Sequence, residues 1–181
     1  MRWESLFADL EAQFEAESAQ ERMNEVQEIV RIERARQTLL QRLERHLGSR
    51  VDLQLLGAER RSGNLSSIGR DWLMLAHAGT EELIPIRAVA WWKALAAGRG
   101  PENGQRRVGF SQALRVLVRD RARVRIGGMD GQLLATGTLD QVGQDFVEVA
   151  LHEQDDFRRG PAVMGRSLIP FSAIARVRRE E

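Results

Sequence analysis

The sequence predicts an α+β protein, mainly β with helices, in which one short strand-rich unit occurs twice behind a long helical N-terminal arm. Three observations carry this. No glycine or proline occurs before Gly48, and residues 3–47 are rich in Glu, Gln, Ala, Arg and Leu, all good helix formers. From Val51 the apolar period changes to two, the mark of half-buried strands. Three blocks of the first strand-rich stretch then recur, in order, in the second. The chain divides accordingly into an arm (1–47), a first β repeat (48–95), a linker (96–109) and a helix with a second β repeat (110–181).

In the arm, Trp3, Phe7, Leu10 and Phe14 fall on one helical face. A second stripe runs through Met23, Val26, Ile29, Val30 and Ile32 to Leu39, Leu40, Leu43 and Leu47. The polar stretch between them contains Ser18 and Glu21 at capping-box spacing. The arm is therefore one helix or two hinged near residue 18. As one helix it would reach roughly 70 Å at 1.5 Å per residue. An apolar stripe of that length needs a partner. Gly48 supplies the stop.

The first repeat reads as strands around Val51–Leu55, Asn64–Asp71, Trp72–Ala76, Leu83–Ile86 and Ala88–Trp92, with Gly57–Gly63 as a polar turn. Residues 96–105 (AAGRGPENGQ) have linker composition. Phe110, Ala113, Leu114 and Leu117 then have helical spacing, with Ser111 as a candidate cap. Val124-Arg125-Ile126 matches Val51-Asp52-Leu53. The ungapped block from Gly137 to Val147 matches Gly63 to Leu73, and Leu168 to Ala175 matches Leu83 to Ala90. Three ordered matches indicate duplication. Gly69 and Gly143 precede an Asp in a turn, where a positive φ would select glycine. Pro85 and Pro170 mark an edge or a bend.

A helix, five short strands, a G-x-L-x-x-(I/V)-G-x-D-(aromatic)-(apolar) turn and a closing I-P-x-x-A-(I/V) strand resemble the Sm-like (Hfq-like) small β-barrel. The resemblance covers about residues 38–92 and 111–178, and SH3-like barrels give similar strings. It implies two tandem Sm-like/SH3-like barrel repeats. In the Sm-like riboregulators a Lys-His pair before the closing Ala-Ile contacts uridines. Those positions here are Ile86-Arg87 and Phe171-Ser172, so only Arg87 keeps a positive charge. The chain's opening also resembles an actinobacterial protein group that begins Met-Arg-Trp. Two units of about 45 residues are each marginal alone. Joint folding with pseudo-twofold symmetry is therefore expected, with the helices Leu39–Leu47 and Phe110–Leu117 covering open ends.

The formal net charge is +1, unevenly spread: −6 over residues 1–30 and +7 over 93–125. Lys93 is the only lysine. The basic stretch is either an ordinary arginine-filled surface or a phosphate-contacting face made of Arg99, Arg106, Arg107, Arg115, Arg119, Arg121, Arg123 and Arg125, with Arg87 added by the resemblance. Trp91 and Trp92 fall on opposite faces of a strand, so at least one is expected in a core or interface rather than stacked on bases.

The 181 residues contain no cysteine, which excludes disulfides, thiol catalysis and thiolate metal sites. No apolar run reaches the roughly 18 residues of a membrane helix. The opening is too acidic for a signal peptide, and the expected location is cytoplasmic. His46, His77 and His152 form no cluster in sequence, and His152-Glu153-Gln154-Asp155-Asp156 reads as an acidic surface loop. No nucleophile elbow, zinc-protease, phosphate-loop or dinucleotide motif is present. No enzyme active site, cofactor or metal is expected. The expected function is that of a non-enzymatic adaptor or assembly protein and homo-oligomer. Its arm, through Trp3, Leu6, Phe7, Leu10 and Phe14, and its tryptophans, Trp91 and Trp92, would contact itself or a protein partner. The alternative is an RNA- or DNA-binding regulator using the arginine-rich 99–125 face.

Overall fold

The computed structural model describes residues 2–93, 108–151 and 165–180. It is an α+β protein of two compact units, residues 1–39 and 40–181. The first unit is dominated by one helix, α1 (Arg2–Arg36), which runs without a break through Ser18. The interruption falls instead at Gln37-Thr38, after which α2 (Leu39–Glu44) begins. Continuous good helix formers leave Ser18 no reason to break the ladder, because its capping side chain acts only where a turn already starts.

The second unit contains β1 (Arg50–Leu55), β2 (Arg60–Ile68), β3 (Trp72–His77), β4 (Thr80–Pro85) and β5 (Val89–Trp92). Helix α3 (Phe110–Arg119) follows, then β6 (Arg123–Gly128), β7 (Leu133–Val142), β8 (Phe146–Leu151), β9 (Gly165–Pro170) and β10 (Ile174–Glu180). Strand β2 starts at Arg60, earlier than the polar composition of 57–63 suggests. Arg60 and Arg61 pair there with Gln54 and Leu53, with the Arg61 side chain on the charged face.

All ten strands form one open antiparallel sheet in the order β5-β1-β2-β3-β4-β10-β6-β7-β8-β9. The pairings come as two meanders of equal register. Leu53 pairs Trp92 and Ile126 pairs Val177; Gln54 pairs Trp91 and Gly127 pairs Arg176. Irregularities match between Leu65 and Ser67 and between Leu139 and Gln141, while one between Ile126 and Gly127 has no counterpart in the pairing of β1 with β2. The meanders join edge to edge through β4 and β10, with Val177 opposite Leu83 and Arg178 opposite Glu82. Because β10 occupies in its meander the place of β5, unlike edges meet. The junction is therefore head-to-tail, and the expected pseudo-twofold is replaced by this relation.

Two cores lie on opposite faces of β3 and β4, Trp72 and Leu83 belonging to one and Leu73 and Ile84 to the other, and each borrows across the junction. The core of the second meander, with Phe110, Leu114, Val124, Ile126 and Val149, also takes Trp72 and Leu83. The core of the first, with Leu43, Val51, Leu65 and Ile84, takes Ala175 and the partly buried Met129. Asp71 continues the exchange: its Oδ1 accepts the Phe110 N–H at 2.7 Å, capping α3. The Trp72 indole N–H donates to the Val108 carbonyl at 3.0 Å. Ser111 lies inside the helix and does not cap it. The cap comes from Asp71 and from Gln112, whose Oε1 accepts the Gly109 N–H.

The turn glycines are explained by crowding, not by positive φ. A Cβ on Gly69 would lie 2.1 Å from the Trp72 indole, and one on Gly143 would lie 2.3 Å from the Phe146 ring. The aromatic three residues later folds back over each glycine. Gly48 does adopt the left-handed conformation, φ 78°, and ends the helical segment as expected. Pro85 and Pro170 close β4 and β9 where the chain bends into 3-10 turns at Ile86–Ala88 and Phe171–Ala173.

The shared cores generate two predictions. Chains cut within 98–105 and produced as separate halves should fail to give a cooperative thermal transition, whereas the halves together should restore one. Leu114→Ala, which empties a fully buried site in the second core, should cost about 2–5 kcal/mol in chemical denaturation.

Candidate functional site

Charge gathers at the junction, on the side of β10 opposite the second core and beside the first, where Arg61 and Glu82 pair with Leu53 and Leu75. Alternation sets this: Ala175 and Val177 of β10 are buried, so Arg176 and Arg178 point the other way. A groove of about 740 Å³ opens there, and six arginines line it: Arg50, Arg60, Arg61, Arg125, Arg176 and Arg178. His77 and Glu82 complete its charged and titratable wall.

Part of this charge is locked. Arg176 donates to Glu59 through Nε at 2.9 Å and Nη2 at 3.3 Å. Arg61 contacts the same carboxylate at 3.0 Å and Glu82 at 3.2 Å. Glu82 also lies 3.9 Å from Arg176. These four side chains are between 13% and 25% exposed, so their charges are held well out of water and need one another. Burial works against the Glu59 carboxylate, but the Arg176 hydrogen bond and charge, with Arg61, outweigh it and hold its pKa below the ordinary value. The same hydrogen bond to Glu59 raises the pKa of Arg176 against the opposing effect of burial.

The remainder of the groove is less compensated. Arg178 stands directly opposite Arg125 across β10 and β6, a like-charge arrangement that is unfavourable unless anions screen it. Arg125 reaches Glu180 only at 3.8 Å. Arg50, Arg60 and Arg178 make no ion pair with a described residue.

The residues singled out by sequence are distributed unevenly. Arg125 lines the groove, and Arg123 lies beside it on β6, 3.6 Å from Glu180. Arg115 and Arg119 are exposed on α3, and Arg121 sits in the following turn at φ 50°. Arg99, Arg106 and Arg107 lie outside the described residues, as do His152 and its acidic neighbours. Arg87 is used at the junction. Its guanidinium donates to the Phe171 carbonyl and lies 5.4 Å from the Phe110 ring centroid, which packs edge-on against Phe171 at 5.7 Å. Burial lowers the Arg87 pKa, opposed by the nearby Asp71 carboxylate. Trp91 is 45% exposed, whereas Trp92 packs on the first core, as their alternation required. Leu6, Leu10, Trp3, Phe7 and Phe14 of the arm are all at least half exposed.

Sequence reasoning missed Arg50, Arg60, Arg61, Arg176 and Arg178, together with Glu59 and Glu82. The period-two alternation of Ala175-Arg176-Val177-Arg178 was the available signal. Among the described residues no group of three or more His, Asp or Glu side chains could hold a metal ion, and no helix is long and apolar enough to cross a membrane. His46 is buried, with Nδ1 3.1 Å from the Arg42 carbonyl. Comparison with protein-family models, with curated proteins and with solved structures finds no match.

The depressed Glu59 pKa fixes a pH dependence. The stabilising contribution is present above the ordinary carboxylate value of 4.5 and is lost as pH falls through the lower folded value. Glu59→Gln should therefore cost about 1–3 kcal/mol near neutral pH, and the gap from wild type should close in acid. Denaturant titrations on both proteins, from neutral pH down to about pH 3, measure this.

Proposed function

We propose that this chain is a non-enzymatic assembly protein whose helical arm pairs with the arm of a second copy, while the body forms a rigid platform. The observation that carries the reading is the arm itself. Over 35 residues it buries none of its large apolar side chains: Trp3 is 72% exposed, Phe14 66% and Val26 60%. An isolated helix gains most of its stability from packing such a face. Charge favours a second copy in antiparallel orientation. Eight acids stand between Glu4 and Glu28, whereas Arg31, Arg34 and Arg36 crowd the last turns. Antiparallel pairing sets the first acids of one arm, Glu4 and Asp9, against the basic last turns of the other. A parallel pair would align like charges.

Within this reading each meander is an Sm-like unit: a short helix and five bent strands, the last of which folds back onto the first. The reading includes homo-oligomerisation and a cytoplasmic setting. A second reading has its own observation, the partly unpaired arginines of the groove. There the body binds the backbone of RNA, or of DNA, through Arg50, Arg60, Arg125 and Arg178 rather than through the 93–125 stretch as a whole.

Light scattering on the full chain tests the arm. Wild type should be oligomeric, and Leu10→Glu with Phe14→Glu should lower its mass without changing the thermal transition of the body. Equal masses for the two proteins would overturn arm pairing. For the groove, Arg60→Glu and Arg178→Glu should each weaken binding of a single-stranded RNA. Each should also reduce the slope of log affinity against log salt by about one. Undetectable binding at low salt by wild type removes this second reading.

A further inference from the structure

We propose that the groove at the junction is a ligand site for a compact phosphate chain, three or more linked phosphates either free or carried by a nucleotide, held by Arg50, Arg60, Arg125 and Arg178. This stands whether or not the arms pair. It rests on the groove reading for its arginines and departs from it in the occupant, a small anion in place of a polymer.

The duplication separates the residues the fold needs from those it does not. The turn residues recur in both meanders, Gly69 with Gly143 and Pro85 with Pro170. The groove's charged and titratable groups on β2, β3 and β4 do not. By strand register Arg60 corresponds to Leu133 and Arg61 to Ala135. Glu82 corresponds to Ser167 and His77 to Leu151. The second meander pairs its strands in the same way with none of these groups. Their presence in one copy only is therefore not explained by the fold.

One position is reversed in sign. In the first meander Lys93 lies beside Asp52, its backbone N–H donating to the Asp52 carbonyl. The equivalent place in the second meander sets Arg178 opposite Arg125. A cation beside an acid has become a cation beside a cation. Like charges directly opposite across two strands are destabilising, and an anion lying between them removes the penalty. Arg61 and Arg176 are already matched by Glu59 and Glu82. That leaves Arg50, Arg60 and Arg178 with no ion pair among the described residues, and Arg125 with the Glu180 carboxylate at 3.8 Å. The surplus is matched by a ligand with several negative charges close together.

Size and charge density select the ligand. The groove's volume of about 740 Å³ is that of a small-molecule site. A nucleic-acid strand carries a single charge per nucleotide, with a sugar between successive phosphates. In a phosphate chain neighbouring phosphates share one oxygen, so several charges enter the same space. Their outer oxygens fit the planar forks of arginine two at a time. Guanidiniums arriving from β1, β2, β6 and β10 suit that density. The locked ions Arg61, Arg176, Glu59 and Glu82 tie β2, β4 and β10 together beside the site, so the free arginines project from a fixed frame.

Calorimetric titration of the full chain at about 0.15 M salt, without divalent metal, tests this. The probes are inorganic triphosphate, a nucleoside triphosphate, orthophosphate and a single-stranded RNA. Triphosphate should bind once per chain, at least about tenfold more tightly than orthophosphate. Arg60→Ala and Arg178→Ala should each weaken it about tenfold or more, whereas Arg115→Ala, on the exposed side of α3, should not. Arg178→Ala should also raise the thermal midpoint of the free protein, because it relieves the repulsion from Arg125. Triphosphate should raise the midpoint of wild type more than that of Arg178→Ala. Equal binding of nucleotide and triphosphate would mark the phosphate chain alone as the recognised part, and tighter binding of the nucleotide would mark a nucleotide as its source. Equal affinity for orthophosphate and triphosphate, or an equal loss in Arg115→Ala, would reduce the groove to diffuse charge and overturn the proposal. RNA binding with no triphosphate binding would overturn it too and leave the RNA reading standing. Triphosphate binding with no RNA binding would remove the RNA reading and keep this one.

Discussion

The pairing of β4 with β10 is the constraint on which the body depends. Each meander has five short strands, too few to bury a sufficient core alone. The pairing does more than add hydrogen bonds. It delivers Leu83 and Trp72 to the second core and Ala175 to the first. It brings Asp71 to the first N–H of α3, and it carries Arg87 to the Phe171 carbonyl. Backbone pairing, apolar burial, helix capping and a cation on an aromatic face thus converge on one line through the molecule. Separating the halves would expose all of them at once, which makes the unit cooperative rather than modular.

The ion network beside the junction follows from the same line. Two carboxylates and two guanidiniums share a small, partly desolvated space, and each arginine touches both glutamates. Such a cluster contributes little net stability by Coulomb attraction, because desolvation offsets much of the gain. Its stronger effect is on register. A slip of β10 by one residue would turn Arg176 and Arg178 toward the core and Ala175 and Val177 to solvent, leaving Glu59 and Glu82 without their cations.

The sequence made much of this fold legible, for identifiable reasons. The duplicated blocks sit where side chains determine backbone shape, at the Gly-x-Asp-aromatic turn and the Ile-Pro bend, so the strands and their equivalence could be read from them. The role of the turn glycines could not. Both the crowded and the left-handed explanation select glycine, and only the position of the Trp72 and Phe146 rings separates them. The join of the halves was also hidden, because edge pairing depends on which strands are left free, and local pattern does not state that. The arginine-rich stretch at 93–125 drew the eye through density. The groove instead collects arginines from β1, β2, β6 and β10, each placed by alternation and distant in sequence.

The arm and the sheet edges pose opposite physical problems. The arm exposes apolar side chains on a helix that satisfies its own backbone, so its pairing tolerates small shifts and is directed mainly by charge. The edges expose backbone donors and acceptors, so pairing there is restricted to a fixed register. An assembly that used both would draw its orientation from the edges and its reach from the arms. The charge pattern fits that division. The arm keeps its acids and its terminal arginines, which act over distance, while the edges have shed the charges that the internal junction retains. Trp91, Gln132 and Ser167 stand where Arg176, Glu59 and Glu82 stand at the internal junction, so the ion network marks the join of the two halves and has no counterpart at the free edges.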